Sequence, residues 1–174
     1  MKILETDRLI LSEQSTSDAA FILELMNSPG WLKYIGDRNV HTTEEAATYI
    51  INGAMKSYKE NGFGLYLVTT KSDQSPIGIC GLIKRPGLEA TDIGFAFLPQ
   101  HEGKGYGYES ASAVMAHART ELGLGAIVAI TVAENEPSIK LLKKIGLSFA
   151  KTITLPGSEE ELMLFESRIS SPAG

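Results

Sequence analysis

Hydrophobic positions along the chain change period several times, and each change marks an element. Over Thr6 to Glu13, apolar Leu9 and Leu11 alternate with Arg8, Ile10 and Ser12, which predicts a first strand. The period then lengthens. Phe21, Ile22, Leu25 and Met26 form a helical stripe behind Ser15 or Ser17 as caps, Asp18 lies in the first turn, and Ser28-Pro29-Gly30 stops the helix. The irregular stretch Trp31 to His41 reads as a loop or a short helical turn. Thr42-x-x-Glu45 is a capping box that opens a second helix, from Thr43 to about Glu60, ended by Asn61-Gly62.

Strands dominate the middle. Leu65 to Thr70 and Ile77 to Ile83 flank the polar turn Lys71 to Pro76, the pattern of an antiparallel hairpin, and Thr91 to Leu98 follows the Lys84-Arg85-Pro86-Gly87 turn. Helical spacing returns in Ala111, Val114, Met115, Ala118 and Leu122 until Gly123-Leu124-Gly125 breaks it, and Ala126 to Val132 is a continuous apolar strand. Pro137 suits a first helical turn, with Ile139, Leu142 and Ile145 as the stripe, Lys140, Lys143 and Lys144 toward the C-terminal dipole, and Gly146 at the end. Leu147 to Leu155 and Leu162 to Phe165 are the last strands. The expectation is one mixed α/β domain over residues 1–169, with 170–174 as a frayed tail.

Composition narrows the classes. With 174 residues there is room for one core and no separate cofactor domain, and 43% hydrophobic and 21% charged residues are close to globular averages. Sixteen Lys+Arg against 21 Asp+Glu leave a net charge of −5, which argues against nucleic acid as a partner. The N-terminus lacks the apolar core of a signal peptide, and no apolar run approaches the roughly 18 residues of a membrane span. Cys80 stands alone in an apolar run, which fits a small buried strand residue in a reducing compartment. The three histidines, His41, His101 and His117, lack metal-ligand spacing, so the expectation is a cytoplasmic, metal-free protein.

The segment with chemical content is Asp92 to Glu109, where a strand runs through Gly103, Gly105 and Gly107 into a helix. Such glycines let successive backbone N–H groups line one concavity, and the positive end of the helix adds to it, a cradle for phosphate. Lys104 can add a point charge. A nucleoside-triphosphate loop needs Ser or Thr after Gly-Lys, whereas Gly105 follows Lys104. A dinucleotide fingerprint needs a glycine where Tyr108 stands, and no acidic residue ends the next strand. A purely structural turn is the bland alternative, though it does not call for three spaced glycines at a helix start.

Gln100-x-x-Gly103-x-Gly105 resembles the Gln/Arg-x-x-Gly-x-Gly/Ala pyrophosphate loop of the GNAT superfamily of acyl-CoA-dependent N-acetyltransferases. Asn135-x-x-Ser138 followed by Leu141 to Leu147 resembles a second family segment at the proper distance. Thr6-x-Arg8-Leu9-x-Leu11, Trp31 and Ile35-Gly36-Asp37 also resemble the ribosomal-protein N-terminal (RimJ/RimL-type) branch, so the likeness spans most of the chain. It implies a mostly antiparallel, twisted sheet of about seven strands with helices on both faces. In it the strand Asp92 to Leu98 is bulged and splays from Ala126 to Val132, leaving a slot for acetyl-CoA.

By the same resemblance, backbone groups of Phe95 and Phe97 or their neighbour Ala96 would bind pantetheine. Gln100 and the N–H groups of Gly103, Lys104, Gly105, Tyr106, Gly107 and Tyr108 would hold pyrophosphate, and Asn135 the pantetheine arm. Glu102 is a departure that weakens this electrostatics unless it turns outward. Many relatives carry a tyrosine acid seven positions after the asparagine, where Leu142 stands here. Ser138 is the substitute, as donor to the thiolate, or else a helix cap. Asp92 or Glu89 could serve as the base through a water, Asp92 equally as a structural partner. Glu109 reads as a first-turn dipole complement before a catalytic group.

Trp31, Tyr34 and Arg38 fall on the acceptor side, Trp31 equally as a core residue. The implied reaction is direct attack of a primary amine, from a protein N-terminus or a small molecule, on the acetyl thioester, by a monomer or homodimer. An acyl-CoA-binding module with little catalysis is the alternative, and a nicotinamide enzyme is a third.

Overall fold

A computed structural model describes residues 1–167. The expected tail, 170–174, and the last two residues of the expected domain lie outside the described residues. Eight strands form one sheet in the order β1-β2-β3-β4-β5-β6-β8-β7, antiparallel throughout except for β5 beside β6. The extra strand is β1 (Lys2–Glu5), a half-buried edge strand paired with β2 (Leu9–Glu13). The single strand expected over Thr6 to Glu13 therefore begins only at Leu9, because Thr6 to Arg8 make the turn: the Leu9 O accepts from the Thr6 N–H, and the Thr6 hydroxyl accepts from the Leu9 N–H.

Ser15 leads through one 3-10 turn into α1 (Ala19–Met26). Ser28-Pro29-Gly30 ends that helix and also starts α2 (Pro29–Tyr34), since proline at the first helical position gives up an N–H that needs no partner there. The Thr42 hydroxyl caps α3 (Thr43–Ile50), which passes through a widened π turn at Ile51–Met55 into α4 (Lys56–Asn61). The hairpin of β3 (Leu65–Thr70) and β4 (Pro76–Ile83) follows, then β5 (Thr91–Phe97), α5 (Tyr106–Thr120), β6 (Ile127–Thr131), α6 (Glu136–Lys144), β7 (Leu147–Ile153) and β8 (Leu162–Ser167).

Two apolar clusters sit on opposite faces of the sheet. Beneath α5 and α6 lie Leu9, Leu11, Tyr66, Val68, Cys80, Ile93, Val114, Ile127, Leu142 and Phe165, with Phe95 and Phe97 packed against them. Beneath α1 and α3 lie Ile22, Leu25, Trp31, Ala46, Ile50, Ile79 and Leu98, with Ala96 alongside. Each fully buried Leu, Ile or Phe side chain contributes about 1.5–3 kcal/mol, so both helical layers are held by burial rather than by propensity. Cys80 is buried, and burial pushes its thiol up to about 12, which leaves it chemically inert. Among the described residues no helix is long and apolar enough to cross a membrane.

Candidate active site

Strands β5 and β6 pair only at Thr91 with Ile127 and Asp92 with Val128. Beyond that rung β5 stays with β4 and β6 pairs with β8, so the middle of the sheet opens like a V. No bulge produces the opening. The β4–β5 register runs unbroken from Asp92 to Phe97, which corrects the bulged strand implied by the family resemblance. The strands part because β6 follows its other neighbour.

Strand alternation shows what the opening offers. The Leu98 N–H donates to the Ile77 carbonyl, so every second residue back from Leu98, namely Ala96, Gly94 and Asp92, also spends its backbone groups on β4. Phe95 and Phe97 turn theirs into the gap. Ala96 does not: its backbone faces β4, and its methyl joins the α1/α3 cluster.

At the wide end of the V, Pro99 to His101 form a 3-10 turn and the chain swings into α5 through Gly103 and Gly105, both left-handed with φ of +74° and +83°. Among the described residues, none of the N–H groups from Gly103 to Tyr108 meets an acceptor. The first helical bond is made by the Glu109 N–H to the Gly105 carbonyl. Six N–H groups thus stand free at the start of a 15-residue helix, where backbone donors and the helix dipole favour an anion. Gly107 serves differently from the other two: it lies inside α5, where a Cβ would stand 3.1 Å from the Leu141 Cδ2, so it lets α6 approach. Gln100, Glu102 and Lys104 are exposed at the rim, and Lys144 lies 4.4 Å from the Tyr108 ring centre.

Asn135 is the cap of α6; its side-chain oxygen accepts from the Ser138 N–H at 3.3 Å. Ser138 is therefore the capped residue and not the cap. Its half-buried hydroxyl makes no hydrogen bond among the described residues, and the amide NH2 of Asn135 is likewise uncommitted. Leu142 is buried in the core and has no chemical part to play.

Asp92 closes the narrow end of the V. It is only 1% exposed, and its Oδ2 accepts from the Arg85 Nε at 2.5 Å, while Oδ1 meets no donor within hydrogen-bond geometry among the described residues. Burial raises its carboxyl to about 6, outweighing the pull of Arg85 and a smaller one from the Ile130 backbone. Glu89 lies exposed in the loop before β5, apart from this pair. Arg85 is a residue that the sequence reading leaves in a turn; the available signal is that a carboxylate on a buried strand needs a cation close by in the chain.

Trp31 is buried in the α1/α3 cluster with its indole N–H unpartnered among the described residues; Tyr34 is half-buried and Arg38 exposed. Trp31 shares a sheet face with Asp92, whereas α6, which carries Ser138, packs on the opposite face. The gap between β5 and β6 joins the two. An open hollow of about 580 Å³ beside α3, lined by Val40, Glu44, Thr48, Tyr49 and Asn52 among others, contains none of the expected site residues.

A mixed sheet parted between its parallel strands, with a glycine turn opening the following helix, is the arrangement of a GNAT-type acetyltransferase. Residues 8–148 match the acetyltransferase (GNAT) domain, and the chain belongs to that family. It is 32% identical to the uncharacterized N-acetyltransferase YoaA of Bacillus subtilis (strain 168) over 146 residues, 83% of this chain and 81% of that protein. The uncharacterized N-acetyltransferase p20 of Bacillus licheniformis is 31% identical, covering 87% of this chain and 84% of its own. The fold is shared with an acetyltransferase from Agrobacterium tumefaciens str. C58 at a TM-score of 0.81 and 20% identity, covering 97% and 94% of the two chains. RimL, a ribosomal L7/L12 alpha-N-protein acetyltransferase solved in complex with coenzyme A, superposes at 0.80 with 17% identity over 97% and 98%. The protein is thus an N-acetyltransferase, of a family that uses acetyl-CoA and acts on amine acceptors.

Proposed function

We propose that the protein transfers the acetyl group of acetyl-CoA directly to a primary amine, on a protein N-terminus or a small molecule, within one ternary complex. The observation that carries this reading is the parting of β5 from β6 just past a buried carboxylate, with free backbone groups along one wall and six free N–H groups at its mouth. When bound, acetyl-CoA supplies an acetyl group already activated as a thioester.

The residues of this chain divide the remaining work. The N–H groups from Gly103 to Tyr108 hold the pyrophosphate, with Gln100 and Lys104 at the rim. Phe95 and Phe97 offer their backbone to the pantetheine amides, and Asn135, its oxygen already accepting one capping bond, donates through its NH2 group. Asp92, with a pKa of about 6, is ionised at neutral pH and takes the proton of the attacking amine through a water. An α-amino group, with a reference pKa of about 7.7–8.0, asks less of such a base than lysine at about 10.4. Ser138 approaches from the opposite face and donates to the departing thiolate. The acceptor arrives over Trp31, Tyr34 and Arg38. The working form is a cytoplasmic monomer or homodimer.

Free thiol release from acetyl-CoA, followed across a panel of peptide N-termini, diamines and other primary amines, tests the proposal. Turnover concentrated in one acceptor class is expected. Tight CoA binding with turnover on none of them overturns it in favour of a binding module. For Ser138→Ala the expected result is a fall in kcat of about 10²-fold, the low end for lost proton transfer, with CoA affinity almost unchanged. Full activity of that variant, measured by the same thiol assay, removes Ser138 from the reaction.

A further inference from the structure

Arg8 is separated by 101 positions from Glu109, yet its Nε lies 2.7 Å from the Glu109 Oε1. Its backbone N–H donates to the Glu109 Oε2 at 3.0 Å, and the Thr6 hydroxyl donates to the same oxygen. The guanidinium sits 4.5 Å from the Tyr106 ring centre, and its Nη1 donates to the Lys104 carbonyl at 3.0 Å. A Cβ on Gly105 would stand 3.2 Å from its Nη2. One side chain therefore touches three successive parts of the loop: the peptide entering Gly105, the first residue of α5 and the first acidic side chain of that helix.

We infer that Arg8 is the positioning residue of the cofactor loop, with Thr6 and Glu109 as its fixed anchor. The inference rests on the proposed role of Gly103 to Tyr108 as the pyrophosphate cradle. In a planar trans peptide the C=O and N–H point in opposite directions. Arg8 draws the Lys104 carbonyl toward the N-terminal strands, and the Gly105 N–H of the same peptide must then face the other way, into the cradle. That constraint matters because two left-handed glycines flank Lys104, and such backbone rotates freely unless something ties it.

Charge supplies the second half of the argument. A carboxylate in the first turn of α5 competes with phosphate for the same positive helix end. Partial burial pushes the Glu109 carboxyl up, yet the Thr6 hydroxyl and Arg8 together hold it below the usual range, so it stays ionised. Both its oxygens are engaged on the side of the N-terminal strands. Arg8 thereby neutralises the anion that would otherwise oppose the ligand.

Calorimetry with CoA on the full chain tests this. Arg8→Met keeps the aliphatic stem and removes the donors; loss of a charge-assisted bond predicts a CoA Kd raised by about tenfold or more. The KM for acetyl-CoA should rise by a similar factor, and kcat should fall far less. Arg8→Lys, a point charge in place of a fork, should not restore affinity. Adding Glu109→Gln to Arg8→Met should recover part of it, because the stranded carboxylate is gone. A CoA Kd within twofold of wild type in both Arg8 variants overturns the inference. So does a loss confined to kcat and melting temperature. Gly105→Val is the control for the cradle itself: if that variant also binds normally, the loop assignment has failed, whereas loss of binding there with normal Arg8 variants condemns only the role of Arg8.

Discussion

Asp92→Asn is expected to lower kcat by about 10²- to 10⁴-fold, the range for removal of a general base, while CoA affinity stays near that of wild type. The amide is nearly isosteric, so the narrow end of the V keeps its shape, and Arg85, a third exposed, can turn to solvent. The wild-type rate should fall as pH drops through about 6, where Asp92 takes up its proton. Stability should move the other way. The folded carboxyl titrates near 6 and the unfolded one near 3.8, so its contribution to folding is fully present below pH 4 and lost as pH rises through 6. Two pKa units correspond to roughly 3 kcal/mol against the folded state above pH 6. Asp92→Asn escapes that loss, so its melting temperature should gain on wild type between pH 4 and pH 6. Under the proposed reading, that cost is what keeps an ionised base at the narrow end of the V. Thermal melts across that range and a pH–rate profile check both halves, and a fully active Asn variant ends the assignment.

Gly105→Val should abolish measurable CoA binding, a loss of about a hundredfold or more. Two causes combine. The residue occupies φ +83°, a left-handed conformation that costs an L-residue roughly 1–2 kcal/mol and a β-branched one more. Its Cβ would press to 3.2 Å against the Arg8 Nη2, disturbing the side chain that ties down the Lys104 carbonyl. Gly105→Ala shares the backbone strain but carries one methyl, so it should lose less affinity. The strain also predicts a drop in melting temperature of about 2–4 °C per kcal/mol for a chain of this size. Calorimetry of both variants separates the effects; normal CoA affinity in the Val variant would remove the loop from the cofactor site.

Much of this was readable in the sequence because the signals are local. Stripes such as Ile22, Leu25 and Met26, the Thr42 capping box and the Gly103-x-Gly105 turn each depend on residues a few positions apart. The glycine spacing accordingly showed the left-handed turn into α5. The edge strand β1 escaped notice because Lys2-Ile3-Leu4-Glu5 is too short for an alternation to show. The long-range pairs were not readable: nothing near Arg8 announces Glu109, and nothing near Asp92 shows that β6 leaves β5 directly after Val128. Asn135-x-x-Ser138 was visible as a motif, yet which residue caps which depends on the backbone path, and the structure reverses the capping role considered for Ser138.

The V has a consequence for the apo protein. A sheet ordinarily has two outer edges, but this one also carries two inner edges where β5 and β6 face each other across a gap, and the backbone groups that Phe95 and Phe97 turn there meet no partner among the described residues. Under the proposed reading, the pantetheine arm fills that seam as a ninth strand lacking only the covalent link. Cofactor then becomes part of the fold as well as a reactant, and the resistance of this domain to local opening should track the supply of its own substrate.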